Sequence, residues 1–270
     1  MGNSSVALHD DLLLGRVSDV YKAEILAEKP IVGDGVKTYP ILDFDEEALA
    51  KLSGNVKENL SKSQIRPGGG RIYRAAKRTL DIICSLSGIV VLAIPMGVVS
   101  LLIYSEDKGN PIFAQTRLTK EGKTFRMYKF RSMCIDAEEK FAEVQKENQR
   151  DGIAFKMEND PRITRIGRFL RKTSIDELPQ LWNVLKGDMS LIGPRPPLPR
   201  EVNLYTPHQM QRLLVKSGLS CYCQCNGRSD MPFEEWVESD IEYIEGRSMK
   251  ADMKLMLQTV KVVFDKKGAR

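Results

Sequence analysis

The chain has 270 residues, 42% of them hydrophobic and 29% charged, and a formal net charge of +5. That is enough apolar material for one sizeable core plus an appendage, and the charge is too mixed in sign for a generally disordered polymer. The positive balance fits an anionic partner, whether nucleic acid, a nucleotide or an acidic membrane surface, and charge alone does not choose among these.

Residues 1–70 read as a separate, mostly polar extension of undefined role. It carries an amphipathic stretch from Glu46 to Leu60 and a flexible joint at Pro67-Gly68-Gly69-Gly70. Asp43-Phe44-Asp45 matches the DxD metal motif of many nucleotide-sugar enzymes, but so short a match is read as solvated surface. The segment Gly33-Asp34-Gly35-Val36-Lys37-Thr38 lacks the spacing that lets a glycine-rich loop encircle phosphate, so it is discarded.

No charged residue occurs from Ile82 to Tyr104. About 20 apolar residues suffice to cross a hydrocarbon core, so the chain is expected to be membrane-bound. Arg71, Arg74, Lys77 and Arg78 precede the run. Lys108, Arg117, Lys120, Lys123, Arg126, Lys129 and Arg131 follow it, so both flanks read as cytoplasmic. Pro95, near the middle, removes a backbone donor and clashes with the preceding turn. A helix that enters, bends and returns to the same face reconciles the two observations; a single true span and a buried core helix are the alternatives weighed.

Beyond the membrane run, Ile112 to Gln115 and Phe125 to Phe130 have strand character around a turn at Glu121-Gly122. A charged helix is expected from Ala137 to Arg150. Arg162, Arg165, Arg168 and Arg171 then recur every third residue, which on a helix gathers guanidinium groups near one face.

Directly after this row come the adjacent carboxylates Asp176 and Glu177, flanked by Arg171, Lys172 and Arg195. Such cations hold carboxylates ionised, so one acid could attack phosphorus while the other binds a divalent metal. The bland alternative is a capping box, with Ser174 as N-cap and Glu177 three residues on. Gly193-Pro194-Arg195-Pro196-Pro197 favours the chemical reading, because prolines on both sides stiffen the backbone that presents the arginine.

Cys84, Cys134, Cys221, Cys223 and Cys225 are an odd number with no secretory leader in front, so a reducing compartment and no disulfides are expected. The alternating trio lacks the spacing of paired zinc ligands and reads as packed thiols. Pro232 to Glu245 and Met249 to Phe264 have helical periodicity, with Trp236, Val237, Ile241 and Ile244 as packing or interface residues.

Four motifs stand in fixed order after the apolar run: Lys129-Phe130-Arg131-Ser132-Met133, Asp160-Pro161-Arg162-Ile163-Thr164, Asp176-Glu177-Leu178-Pro179-Gln180 and Gly193-Pro194-Arg195-Pro196. In these the chain strongly resembles the bacterial sugar transferase family, the monotopic polyprenyl-phosphate phosphoglycosyl transferases, over about Arg71 to Arg270. The resemblance implies an α+β, mostly helical fold. A re-entrant membrane helix broken at Pro95 would occupy residues 71–108, and a small cytosolic catalytic domain with a short β element and amphipathic interfacial helices would occupy 109–270.

It implies transfer of a sugar-1-phosphate from a UDP-sugar to polyprenyl phosphate, such as undecaprenyl phosphate, at the cytosolic face of the bacterial inner membrane. UMP is released, and the lipid product starts a surface glycan. Mg²⁺ is the implied cofactor. Carried over by motif, Asp176 is the nucleophile that forms a covalent phosphosugar intermediate, and Glu177 helps hold the metal. Lys129, Arg171 and Arg195 contact phosphate, Arg228 of Gly227-Arg228-Ser229 is a nucleotide or phosphate ligand, and Asp252 matches a downstream family acid.

The chain departs from relatives at Ile94-Pro95, where some small members have serine before the proline. It departs again at Cys221 to Cys225, which replaces a tryptophan-containing strand. Membrane lipids are expected partners, nucleic acid is not, and pairing with a second copy is left open. Two rival readings remain: a membrane-tethered nucleic-acid-binding or scaffold protein, and an aspartyl phosphatase.

Overall fold

The computed structural model describes residues 31–33, 36–38, 44–137, 139–140, 160–222 and 231–265. Its first elements are the short antiparallel strands β1 (Ile31–Gly33) and β2 (Val36–Thr38). The charged stretch expected from Ala137 to Arg150 lies almost wholly outside the described residues, as do Cys223, Cys225 and Arg228.

Helix α1 (Glu46–Ser61) starts where the Asp45 carboxylate accepts from the Ala48 N–H at 2.7 Å. Its Leu52, Val56 and Leu60 recur at helical spacing and are buried against Leu118, Val202, Tyr205, Met210 and Leu213. Residues 46–61 are therefore part of the main core rather than of a separate extension. The apolar stripe, about 1.5–3 kcal/mol per buried side chain, outweighs the polar face. The glycine joint is likewise tied down: Gly68 N–H donates to the Ile244 carbonyl at 2.9 Å, and its carbonyl accepts from Arg247 Nε at 2.6 Å.

Helix α2 (Arg71–Asp107) runs through Pro95 without interruption, so the expected break into two helices is not seen. A single proline removes one intrahelical bond and bends a helix without having to end it when neighbouring turns are strong formers. The first turns are fixed to the globular part. Arg78 Nη1 and Nη2 each donate at 2.7 Å, to the carbonyls of Val184 and Leu185, and Asp81 Oδ1 accepts from Leu191 N–H at 2.9 Å and Ser190 Oγ at 3.1 Å.

The last turns are fixed to it as well. Ile103 packs with Phe130 and Leu170, Asp107 Oδ2 accepts from Arg131 Nη1 at 2.7 Å, and Glu106 Oε1 accepts from Arg165 N–H at 3.1 Å. Between these ends Val90, Val91, Ile94, Val98 and Leu101 are uncovered, Ile94 by 81%. An apolar face of that extent is what a lipid phase would solvate.

Strands β3 (Ile112–Leu118) and β4 (Thr124–Phe130) form an antiparallel hairpin with Ile112 opposite Phe130 and Leu118 opposite Thr124. The turn falls at Glu121 and Gly122, both with positive φ. Helix α3 (Arg165–Thr173) is capped by Thr164 Oγ1, which accepts from Gly167 N–H at 2.9 Å. Arg162 lies ahead of this cap, in a buried ion pair with Asp160 at 2.6 Å, so it does not join the arginine face.

After α3 come a single 3₁₀ turn at Ile175–Glu177 and α4 (Gln180–Lys186). Next, β5 (Ser190–Ile192) pairs in parallel with β6 (Gly218–Ser220), and the short helices α5 (Pro199–Val202) and α6 (Pro207–Met210) lie between them. Helices α7 (Phe233–Gly246) and α8 (Met249–Asp265) close the described chain, and Trp236, Val237, Ile241 and Ile244 are buried in it. The architecture is mostly helical with small sheets and one long apolar helix.

Candidate active site

The cleft is built where five backbone segments converge: β3, β4, residues 177–180, the proline-rich segment and β6. Lys129 sits near the end of β4, on the same strand face as Phe125 and Met127 because side chains alternate along a strand. Asp176 and Glu177 come from the 3₁₀ turn after α3. Ser174 has φ 57°, ends α3 in the left-handed region and makes no side-chain cap bond. The capping-box reading therefore fails, and the reversal at Ser174 carries the two acids back toward β4.

Arg195 is held by its proline-rich segment. Gly193 N–H donates to the Ser220 carbonyl at 3.0 Å, Gly218 N–H to the Pro194 carbonyl at 2.8 Å and Leu118 N–H to the Pro197 carbonyl at 3.0 Å. Gly193 and Gly218 approach so closely that a Cβ on Gly218 would collide with the Gly193 backbone. Bonded on both sides, the stiff segment presents Arg195 to an open cleft of about 270 Å³, whose walls include Arg117, Met127, Lys129, Glu177, Gln180 and Arg195.

Inside it Lys129 Nζ lies 3.0 Å from Glu177 Oε1 and 4.0 Å from Asp176 Oδ2. Asp176 is only 8% exposed. Burial pushes its carboxyl above the ordinary aspartate value; Lys129 opposes this, Glu177 adds to it, and Arg171 opposes it again. Arg171 is itself drawn below the usual arginine value by burial, with Asp176 pulling the other way. Its Nε donates to Ser132 Oγ at 2.8 Å, which aims the guanidinium. Arg117 Nη1 donates to the Pro196 carbonyl at 3.0 Å, and burial draws it down to about 10.

The structure thus brings together Lys129, Arg171, Asp176, Glu177 and Arg195. It does not bring Asp252 to the cleft. That acid is buried and accepts from Tyr73 Oη at 2.9 Å, Lys77 Nζ at 2.7 Å and Tyr243 Oη at 2.8 Å, tying α8 and α7 to the first turns of α2. Pro95 lies inside α2, and Arg228 is outside the described residues. Cys221 packs with Trp236, Met231 and Phe233. Among the described residues no group of three His, Cys, Asp or Glu side chains could hold a metal ion.

Arg117, Ser132 and Gln180 contribute to the site without having been singled out as site residues. Ser132 and Gln180 stood within the quoted motifs, whereas Arg117 had no signal beyond belonging to a basic flank.

The family model of the bacterial sugar transferases matches residues 72–266, a stretch that contains every residue of this cleft. The chain belongs to the bacterial sugar transferase family. It is 45% identical to a galactosyl transferase, CpsE, of Streptococcus agalactiae over 72% of this chain and 43% of that protein. It is 39% identical to the undecaprenyl-phosphate galactose phosphotransferase of Salmonella typhimurium over 79% of this chain and 44% of that protein.

The exopolysaccharide production protein ExoY of Sinorhizobium fredii is 32% identical over 76% of this chain and 91% of its own length. The first two relatives are thus matched over less than half of their length. The sugar transferase match begins at the start of α2, so α1 lies outside it although α1 supplies core side chains.

Proposed function

We propose that this sugar transferase moves a sugar-1-phosphate from a UDP-sugar to undecaprenyl phosphate in two displacement steps. The observation that carries the reading is Asp176, a buried carboxylate whose nearest lysine among the described residues stands at 4.0 Å, beyond hydrogen-bond reach, at the edge of a cleft lined by cations. Its own backbone N–H engages this carboxylate, and the lone pairs left over are the ones offered to an electrophile.

In the first step a carboxylate oxygen of Asp176 attacks the sugar-bearing phosphorus of the donor. The bond from that phosphorus to the bridging oxygen breaks, and UMP leaves with the electron pair. In the second step a phosphate oxygen of the lipid attacks the same phosphorus, and the Asp176 carboxylate departs. Lys129, Arg171 and Arg195 offset charge on the phosphoryl oxygens, and the arginine forks suit that shape. Because UMP leaves before the lipid phosphate attacks, the kinetics are ping-pong.

Glu177 fits a Mg²⁺ ion, which commonly takes one or two carboxylates and completes its shell with substrate phosphate and water. When bound it would supply charge neutralisation on the diphosphate. Glu177, the acid nearer to solvent, is the residue assigned to it.

On this reading the site works at a membrane surface, on the cytosolic side. Both ends of α2 are bonded to one globular part, as a helix that dips into lipid and returns would be, and the basic flanks favour the cytosol. In cells, cysteine reagents should reach residues beside Asp107 only from the cytosol; labelling from outside would defeat this placement. The lipid acceptor then meets the cleft at the headgroup plane.

Radiolabelled donor should leave label on the native chain and none on Asp176→Asn. Persistence of label on the variant would rule out this nucleophile. Turnover that needs no polyprenyl phosphate would favour an aspartyl phosphatase instead.

A further inference from the structure

Asn183 is fully buried in α4, and the reaction just described gives it no task. Its side-chain amide lies against the edge of β4 not paired with β3. Oδ1 accepts from the Tyr128 N–H at 3.0 Å, and Nδ2 donates to the Arg126 carbonyl at 2.7 Å. Those backbone groups flank Met127, and they are the two that one residue of a parallel neighbouring strand would use. A single amide thus stands in for an absent strand.

Its orientation is fixed by a third bond, from Nδ2 to Asp188 Oδ2 at 3.1 Å, because a carboxylate can only accept. The clamp joins the two walls of the cleft. On one side Met127 and Lys129 project from the same face of β4; on the other, Glu177 and Gln180 belong to the segment leading into α4.

We propose that Asn183 is a positioning residue: its amide locks β4 to α4 so that the Lys129 ammonium is held between Asp176 and Glu177. This rests on the function proposed above. Lys129 Nζ stands 3.0 Å from Glu177 and 4.0 Å from Asp176, and small shifts of such a group change transfer rates by large factors. The side chain also makes a sharper demand than a hydrophobic core position would, since only a group that donates and accepts on one planar face satisfies both β4 partners.

The test uses the full chain in lipid nanodiscs, with UMP release from a panel of UDP-sugars and undecaprenyl phosphate, normalised to folded protein by thermal melting. Asn183→Leu should lower kcat about 10- to 100-fold while KM moves by less than about 3-fold. Added to Lys129→Met, it should cause no further loss, because both act through one ammonium.

Losses that multiply in the double variant, or a KM that moves as far as kcat, would overturn the proposal. If Asn183→Leu does not fold, Asn183→Asp combined with Asp188→Asn keeps the contact between the two side chains and the acceptor for Tyr128 while deleting the donor to Arg126. The same kcat loss at nearly unchanged KM is expected there, and native kinetics would overturn the proposal. A native chain that releases no UMP from any donor sinks the functional reading, and the positioning role with it. Native activity with multiplying losses sinks the positioning role alone.

Discussion

Asp176 and Asp252 are both buried acids with lysine neighbours, yet the structure uses them in opposite ways. Asp252 accepts from two tyrosine hydroxyls and Lys77, so its oxygens are already engaged. Asp176 lies beside the cleft, next to Glu177, which lines it; among the described residues its nearest lysine is at 4.0 Å, and burial leaves its carboxyl less acidic than usual. A carboxylate surrounded by donors holds elements together, whereas one left short of donors can meet phosphorus. Burial and charge alone do not separate the two cases; the number of engaged lone pairs does.

The largest contrast should appear in catalysis. Asp176→Asn is expected to cut UMP release by on the order of 10⁴-fold, while Asp252→Asn retains covalent labelling per folded molecule. Loss of labelling in folded Asp252→Asn would show that the two acids are not separate in function.

Stability should reverse that order. Asp252→Ala leaves two hydroxyls and an ammonium without their acceptor and should cost about 3 kcal/mol in chemical denaturation. Asp176 behaves otherwise: its folded pKa lies above the unfolded one, so this group's contribution is most favourable below the unfolded pKa and declines as pH rises through the folded value. Near pH 7 Asp176→Asn should therefore melt at or above the native temperature. Melting several degrees lower would mean that Asp176, too, serves the fold.

A smaller effect is expected at Arg171, which Ser132 aims by one hydrogen bond. Arg171→Lys keeps the charge and loses the planar fork, so kcat/KM should fall about 10- to 100-fold, with labelling still detectable. Equal activity would mean that only the charge matters.

The smallest effect is a shift in pH dependence. In the proposed mechanism the attacking form of Asp176 is deprotonated, so activity should decline on acidification along a limb above the ordinary aspartate range. Lys129→Met should move that limb further upward because the ammonium lowers the pKa. A limb that moves down would reverse the assignment of Lys129 as the partner of Asp176.

Much of this site was legible before any coordinates. The uncharged run from Ile82 to Tyr104 announces a long apolar helix, since such a length is costly to leave in water. The four ordered motifs identify the family, and Lys129, Arg171, Asp176, Glu177 and Arg195 do meet. The hairpin was placed by its turn, although β3 and β4 extend beyond the expected strands because hairpin pairing continues as far as register allows. Local spacing left one alternative open: Ser174 and Glu177 have capping-box spacing, and it took the left-handed Ser174, which turns the chain the other way, to remove it.

The sequence by itself determined that there is a lipid-compatible helix, an acidic pair and a stiff arginine loop, because these depend on composition, spacing and the fixed φ of proline. Only the tertiary structure decided that residues 46–61 belong to the core, that Asp252 is a tie rather than part of the cleft, and that Asn183 joins the cleft walls. Those outcomes depend on which distant groups come within hydrogen-bond or packing distance of one another. No local pattern carries that information, because each partner is brought in by a different part of the chain.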